Sequence, residues 1–199
     1  MSKETPAGTF CIEVAPAPCA LVIFGGTGDL ARRKLFPSLF QMHRLGLLHD
    51  ATRIVGCGRS VLTDEAFREQ ASTFLRQADP QPRAAFLARV TYRQADTAEP
   101  STFRGLAAHL DTLDRTADAP VPLNRLYYFA VPSSSYQPII SMLDAAGQIG
   151  EHEHDRGPWR HLLIEKPFGS DTASAARLDA FLKTVAKEEQ LFRIDHYLG

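Results

Sequence analysis

The stretch LVIFGGTGDLA, residues 21–31, decides the fold that we predict for this chain. Its first four residues are apolar and favour a buried strand, and the residues after the glycines favour a helix. Glycine permits the positive φ that such a turn needs and lets the backbone approach a phosphate without an intervening Cβ. The N–H groups and the dipole at the start of the helix then attract an anion. The sequence therefore predicts a pyrophosphate site, although a G-x-x-G-x-x-A turn can also be purely structural. Its candidate residues are Gly25, Gly26, Thr27, Gly28, Asp29 and Leu30.

The rest of the chain repeats this alternation of strand and helix patterns. Apolar runs typical of strands occur at residues 20–24, 53–58, 90–95, 124–131, 161–165 and 191–194. Helical patterns occupy residues 64–75, 102–113, 134–146 and 172–188, and a first one runs from the glycine turn to residue 48. Pro37 lies within that first pattern and predicts a kink or break. The order indicates the α/β class, a Rossmann-like, doubly wound and mainly parallel sheet of about six strands with helices on both faces.

Domain organisation follows from where these patterns begin. Several prolines among few periodic apolar residues predict a flexible leader at residues 1–18, before one NAD(P)-binding Rossmann domain at residues 19–199. Residues 114–122 and 148–158 are polar or proline-containing and predict surface loops. The acidic and histidine residues at 151–155 are consecutive rather than spaced on one helical face, so we predict no metal site there.

Composition narrows the classes of function. The chain has 199 residues, 44% hydrophobic and 23% charged, with a formal net charge of -1, as in an ordinary globular protein without a broad basic field for nucleic acid. Its three cysteines show no CxxC spacing, which favours a reducing compartment. No stretch reaches the ~20 apolar residues of a membrane span. We therefore expect a soluble cytoplasmic protein without a nucleic-acid or membrane partner.

The end of the second predicted strand, IVGCGRS at residues 54–60, bears on coenzyme choice. An NAD site favours a carboxylate there for the ribose 2'-hydroxyl, whereas a 2'-phosphate favours an arginine. The segment contains Arg59 and no acidic residue. Residue chemistry therefore favours NADP, with NAD still possible, unless Arg59 is only a solvated loop residue.

Two further segments place polar side chains directly after predicted strands. In HLLIEKPFG, residues 161–169, Lys166 follows the strand at the edge where open α/β sheets bind ligands. Pro167 fixes the local φ and is compatible with a cis bond that aims the lysine inward. A lysine before a proline is also an ordinary strand exit.

The second segment is LFRIDHYLG, residues 191–199. Asp195, His196 and Tyr197 follow its short strand, and an aspartate can orient a histidine base while histidine and tyrosine donate hydrogen bonds to a phosphate. The residues alone leave this functional interpretation and a structural one equally open.

Taken together, GGTGDLARRKLFPSLF at residues 25–40, EKPFG at 165–169 and RIDHYLG at 193–199 closely resemble the N-terminal coenzyme domain of glucose-6-phosphate dehydrogenase. The resemblance covers nearly all of the chain from residue 19 onward. It implies oxidation of glucose 6-phosphate at C1 to 6-phosphogluconolactone, with hydride transfer to NADP, in the oxidative pentose phosphate pathway.

The resemblance also implies roles for individual residues. The glycine loop would hold the pyrophosphate and Arg59 the 2'-phosphate, with Asp96 near the adenosine half and Tyr128 against the coenzyme. Lys34 would lie near nicotinamide and substrate, and Lys166 would contact both. His196 and Tyr197 would bind the sugar phosphate, and Asp195 would orient the catalytic histidine.

That histidine lies beyond RIDHYLG in the family, in a larger β+α domain that completes the substrate pocket and forms the homo-oligomer. We therefore expect the isolated chain to be catalytically incomplete and at most to bind NADP weakly. Two alternatives stay open at this point: a stand-alone NADP-binding regulatory module without catalysis, and a dehydrogenase of the glucose-fructose oxidoreductase type, which also has an EKP segment after a Rossmann strand.

Overall fold

The structure is a computed structural model that describes residues 16–75, 79–116, 122–150 and 157–194. Its strands are β1 (Cys19–Phe24), β2 (Arg53–Gly58), β3 (Val90–Gln94), β4 (Asn124–Phe129), β5 (Arg160–Glu165) and β6 (Leu191–Ile194). Its α-helices are α1 (Phe36–Arg44), α2 (Asp64–Ser72), α3 (Pro80–Leu87), α4 (Pro100–Thr116), α5 (Tyr136–Ala145) and α6 (Thr172–Val185). A π-helical turn, Ala31–Leu35, precedes α1, and 3-10 turns occupy Thr73–Leu75, Ser133–Ser135 and Glu188–Gln190.

The six strands form one parallel sheet in the order β3-β2-β1-β4-β5-β6. The strand order reverses at β1. From β1 the chain continues outward through β2 and β3, and it then returns to form β4 on the other side of β1. Phe24, the last residue of β1, pairs in register with Cys57 of β2 and Phe129 of β4. The carboxyl ends of these three strands are therefore level and meet at the switch point, where doubly wound sheets bind ligands. The predicted fold class is confirmed.

Two apolar clusters cover the two faces of the sheet. The alternation along β1 directs Val22 and Phe24 into one cluster and Leu21 and Ile23 into the other. The cluster of Phe24 is covered by α4, α5 and α6, and that of Ile23 by α1, α2 and α3. Both faces of β1 and β2 are thus buried, as expected for parallel strands that read as continuous apolar runs.

The first helix differs from the prediction of a pattern that extends to residue 48. The segment is divided into the π-helical turn and α1, which ends at Arg44. Pro37 lies in the first turn of α1 and has no N–H to donate to the π-helical turn before it, which is where the hydrogen-bond pattern of the helix changes. Gly46 then adopts a φ of 71° and ends the helical conformation. The break predicted at Pro37 is therefore a change of helix type just before the proline.

Helix α3 was not predicted. Its sequence PQPRAAFL contains two prolines, but both lie in the first turn, where the fixed φ is compatible with a helix. Phe86 of this helix is fully buried against Phe40 of α1, with ring centroids 5.5 Å apart. The helix therefore contributes to the core even though its first turn contains two prolines.

Some predictions fall outside the described residues. These are the leader at residues 1–15 and most of the two predicted surface loops, including the acidic and histidine residues at 151–155. Within the described ranges, no helix combines the length and apolar character that crossing a membrane requires.

Candidate functional site

A cavity of about 440 Å³ opens at the switch point. Its wall is built by residues at or just beyond the carboxyl ends of four neighbouring strands. They are Phe24, Gly25 and Thr27 from β1, Cys57, Gly58 and Arg59 from β2, Ala95 and Thr97 from β3, and Ala130, Val131, Pro132, Ser134, Ser135, Pro138 and Ile139 from the β4–α5 segment. The size and position are those of a small-molecule site in an open α/β sheet.

The first glycines of the motif shape the turn that follows β1. Gly25 has a φ of 81°, and a Cβ there would lie 2.2 Å from the carbonyl oxygen of Ala130. A Cβ on Gly26 would lie 2.9 Å from the Cα of Gly56. Glycine is therefore required at both positions so that the turn can pass between the neighbouring strands.

The N–H groups of the glycines are used within the turn. Those of Gly25 and Gly26 donate to the carbonyl oxygen of Cys57 at 2.9 and 3.0 Å, and that of Gly28 donates to the carbonyl oxygen of Gly25 at 2.8 Å. Donors for an anion must therefore come from the residues around them, Thr27 and the first helical turn at Asp29 and Leu30, where N–H groups have no acceptor within the helix.

Those residues stand at the helix start as predicted. Thr27 lines the cavity, and helical conformation begins at Asp29 and continues through Leu30 into the π-helical turn. The Asp29 carboxylate is exposed and lies 3.9 Å from the Arg33 guanidinium, a loose surface pair. The arrangement leaves the N-terminal turn facing the switch point.

Arg59 lies in the wall of the cavity, and its side chain is exposed. None of the residues that line this cavity in the described part of the chain is acidic. Cys57, beneath Arg59, is fully buried, and burial raises the pKa of its thiol. A buried thiol of this kind packs as a small apolar group.

Asp96 follows β3 at the same edge of the sheet. Its neighbours Ala95 and Thr97 line the cavity, whereas the Asp96 carboxylate accepts a hydrogen bond from the N–H of Ala98 at 3.0 Å. The backbone N–H of Asp96 donates to the hydroxyl of Thr102 at 3.0 Å. Asp96 thus stabilises the turn into α4, beside the cavity wall.

The predicted tyrosine and lysine are connected through Glu165. The hydroxyl of Tyr128 donates to the Glu165 carboxylate, and the hydroxyl of Tyr136 donates to the Glu165 carbonyl oxygen at 2.9 Å. Burial raises the pKa of Tyr136 to about 12, so it remains a donor at neutral pH. The next residue, Lys166, is exposed and precedes Pro167 through a cis peptide bond, as the sequence suggested.

The remaining predicted residues are not brought into this cavity. Lys34 is exposed on the π-helical turn, and neither it, Tyr128 nor Lys166 belongs to the cavity wall. Asp195, His196 and Tyr197 lie outside the described residues. The structure therefore places the glycine turn and Arg59 in one site, and the roles of the predicted substrate residues remain predictions.

One part of the site was missed from the sequence. The β4–α5 segment, with the run VPSSS at residues 131–135, supplies much of the cavity wall. Its position directly after a buried strand was the available signal, because carboxyl ends of parallel strands meet at one edge. Tyr128 and Tyr136 lie 37 and 29 positions from Glu165 in the sequence, so no local sequence pattern could indicate these two hydrogen bonds.

Comparison with known proteins agrees with this geometry. The family described as glucose-6-phosphate dehydrogenase, NAD binding domain, matches residues 22–199. The glucose-6-phosphate 1-dehydrogenase of Aggregatibacter actinomycetemcomitans is 36% identical over 91% of this chain and 36% of its own length. That of Treponema pallidum is 36% identical over 100% of this chain and 38% of its own length.

Solved structures give the same result. A glucose-6-phosphate dehydrogenase in complex with its substrate glucose-6-phosphate superposes with a TM-score of 0.79 and 32% identity, over 92% of this chain and 37% of the other. The enzyme from Mycobacterium avium gives 0.73 and 27%, over 90% and 36%. The chain thus spans little more than a third of these relatives. Because the family match covers nearly all of the sequence and the fold agrees throughout, this chain belongs to the glucose-6-phosphate dehydrogenase family and corresponds to its NAD-binding domain.

Proposed function

We propose that this chain binds NADP at the switch-point cavity and serves as the coenzyme-binding part of a glucose-6-phosphate dehydrogenase. The observation that carries the proposal is Arg59 in a cavity wall that contains no acidic residue among those described. NADP is the coenzyme of glucose-6-phosphate dehydrogenase homologues. A guanidinium offers several donors in a fixed plane and suits a phosphate, whereas NAD recognition favours a carboxylate at this position.

The residues present fit such a coenzyme. The close approach of the glycine turn to Ala130 and Gly56 leaves the first helical turn as the nearest source of N–H donors for a pyrophosphate. Arg59 would hold the 2'-phosphate, and Asp96 would lie near the adenosine half. Bound NADP would supply the hydride acceptor of the reaction.

The reaction proposed for the family enzyme is oxidation of glucose 6-phosphate at C1. Tyr128 would contact the coenzyme and hold Glu165, which restrains the backbone that leads to Lys166. Lys166 and Lys34 would contact the substrate, with His196 and Tyr197 on its phosphate and Asp195 orienting a histidine base.

No histidine, lysine or carboxylate is among the described residues that line the cavity. The cavity itself therefore offers binding groups without a general base. We propose that coenzyme binding is the property of this domain, and that the proton from the substrate hydroxyl is taken by a group outside these residues.

Isothermal titration calorimetry with NADP and NAD tests the proposal directly. The wild-type 199-residue chain should bind NADP more tightly than NAD. Arg59→Ala should weaken NADP about 10- to 100-fold, as expected for a charged hydrogen-bonded pair, and leave NAD nearly unchanged. Arg44→Ala, an exposed arginine on α1, is the matched control and should change neither. Equal wild-type affinity for the two coenzymes would refute the assignment to NADP.

A further inference from the structure

The turn that carries Arg59 is held by three hydrogen bonds from the end of β3. We call residues 58–60 the specificity turn. Its three successive carbonyl oxygens each accept a hydrogen bond from the end of β3. The N–H of Ala95 donates to Gly58 at 2.8 Å, the side-chain amide of Gln94 to Arg59 at 2.9 Å, and the hydroxyl of Tyr92 to Ser60 at 2.6 Å.

One of these donors, the hydroxyl of Tyr92, is fixed by the core of the domain. Tyr92 is 1% exposed, and its ring lies 5.0 Å from that of Phe67 on α2. Burial raises the pKa of Tyr92 to about 12, so the phenol keeps the proton that it donates. A Cβ on Gly58 would lie 3.0 Å from the Tyr92 hydroxyl, which shows how closely the tyrosine approaches the turn.

Tyr92 and Gln94 hold the turn from the side away from the cavity. They are two residues apart on β3 and therefore share one face of the sheet, the face that packs against α2. Cys57 and Ala95, which line the cavity, belong to the apolar cluster of the opposite face. The carbonyl oxygens of the specificity turn are thus directed toward β3, whereas Arg59 lies in the cavity wall.

The direction of the carbonyl groups matters for an anionic ligand. In a planar trans peptide the N–H points opposite to the C=O, so the N–H groups of Arg59, Ser60 and Val61 point away from the β3 donors. Three carbonyl oxygens are thereby kept from facing a phosphate, and the arginine backbone is restrained at the same time. A ribose 2'-hydroxyl gains little from this arrangement, because it carries no charge.

We infer that Gln94 and Tyr92 are positioning residues that set the preference for a 2'-phosphorylated coenzyme through the specificity turn. This inference rests on the proposed function. It identifies two residues, neither of which lines the cavity, that favour the 2'-phosphate by fixing the peptide groups around Arg59.

Two substitutions that remove only a donor test the inference. Tyr92→Phe deletes the hydroxyl, and Gln94→Met keeps the length of the side chain without its amide. Each should weaken NADP about 3- to 10-fold in calorimetry and change NAD less than about 2-fold, as expected for the loss of one hydrogen bond. On an Arg59→Ala background the effect of Gln94→Met on NADP should fall below about 2-fold.

The matched controls are Tyr127→Phe, a buried hydroxyl that donates to Gln148 at 3.1 Å, and Gln41→Met on the exposed face of α1. Neither should change the ratio of the two affinities, and thermal unfolding of each variant reports whether it is folded. A wild-type chain that does not prefer NADP would defeat both the proposed function and this inference. A wild-type preference that depends on Arg59 but is unchanged in folded Gln94→Met and Tyr92→Phe variants would overturn the inference alone.

Discussion

Acid should destabilise this domain through His109, a partly buried side chain on α4. Its Nδ1 lies 2.7 Å from Nη2 of Arg93, and its Nε2 lies 3.0 Å from the hydroxyl oxygen of Thr91. An arginine can only donate, so Nδ1 must accept. The ring is therefore neutral, with its proton on Nε2 directed at Thr91. Protonation of Nδ1 would replace this acceptor with a second donor that faces a guanidinium.

The size of the effect follows from the surroundings of the ring. Burial first, then Arg93 and also Arg125, lower the pKa of His109 from 6.5 to about 4, and Asp64 opposes them. Because the folded pKa is the lower one, the unfolded chain binds more protons between these values. The stabilisation is complete above about pH 6.5 and is lost as the pH falls toward 4. The difference corresponds to at most about 3.4 kcal/mol, which solvent screening of a partly exposed ring reduces to about 1–2 kcal/mol.

Urea denaturation at pH 7 and pH 4.5 measures this loss in the wild type and in His109→Gln. Glutamine cannot be protonated in this range, so the variant should lose about 1–2 kcal/mol less on acidification than the wild type does. His43 titrates in the same direction, because burial first and Arg89 second lower its pKa. Its contribution is common to both proteins and cancels in the comparison. Equal losses in the wild type and the variant would refute the argument.

Two further substitutions should destabilise the domain for steric and electrostatic reasons. Gly25→Ala places a Cβ 2.2 Å from the Ala130 carbonyl oxygen at a residue with positive φ. It should lower the free energy of unfolding, measured by chemical denaturation, by at least about 2 kcal/mol. The control Gly28→Ala should lower it less, because its Cβ would meet only an oxygen at 3.1 Å. An equal cost would contradict this reasoning. Arg125→Met removes a guanidinium that is 4% exposed and bonded to Asp114 at 2.6 Å, so the carboxylate keeps the N–H of Leu123 but loses its charged partner. This loss should cost about 3 kcal/mol in the same assay, and a value below about 1 kcal/mol would contradict the argument.

The sheet could be predicted from the sequence because parallel buried strands leave continuous apolar runs. β2 and β6 begin and end at the predicted residues, and the remaining strands differ from prediction by one or two positions at an end. α3 was not among the predicted helices, although the first turn of a helix accepts the prolines that it contains. Its eight residues form only about two helical turns, which is too short for an apolar periodicity to indicate a helix.

The candidate site was predictable only where a local motif forms it. Arg59 and the glycine turn lie at strand ends that the apolar runs already marked. The bonds that Tyr92 and Gln94 make to the specificity turn depend on how β3 is aligned with β2, where Gly58 pairs with Gln94. That register is set by packing of both faces rather than by any pattern within either segment.

The glycine motif carries less information about the ligand than its resemblance to nucleotide loops suggests. Gly25 and Gly26 are needed because two neighbouring strands leave no room for a Cβ, and the N–H groups of both donate to the carbonyl oxygen of Cys57. Such a turn would be favoured in this sheet whatever occupied the cavity. On the proposed assignment, coenzyme choice depends on the end of β2, where Arg59 is the charged group among the described residues of the wall. A change of coenzyme preference should therefore follow from substitutions in and behind the specificity turn, while substitutions of the glycines should affect stability and the binding of both coenzymes together.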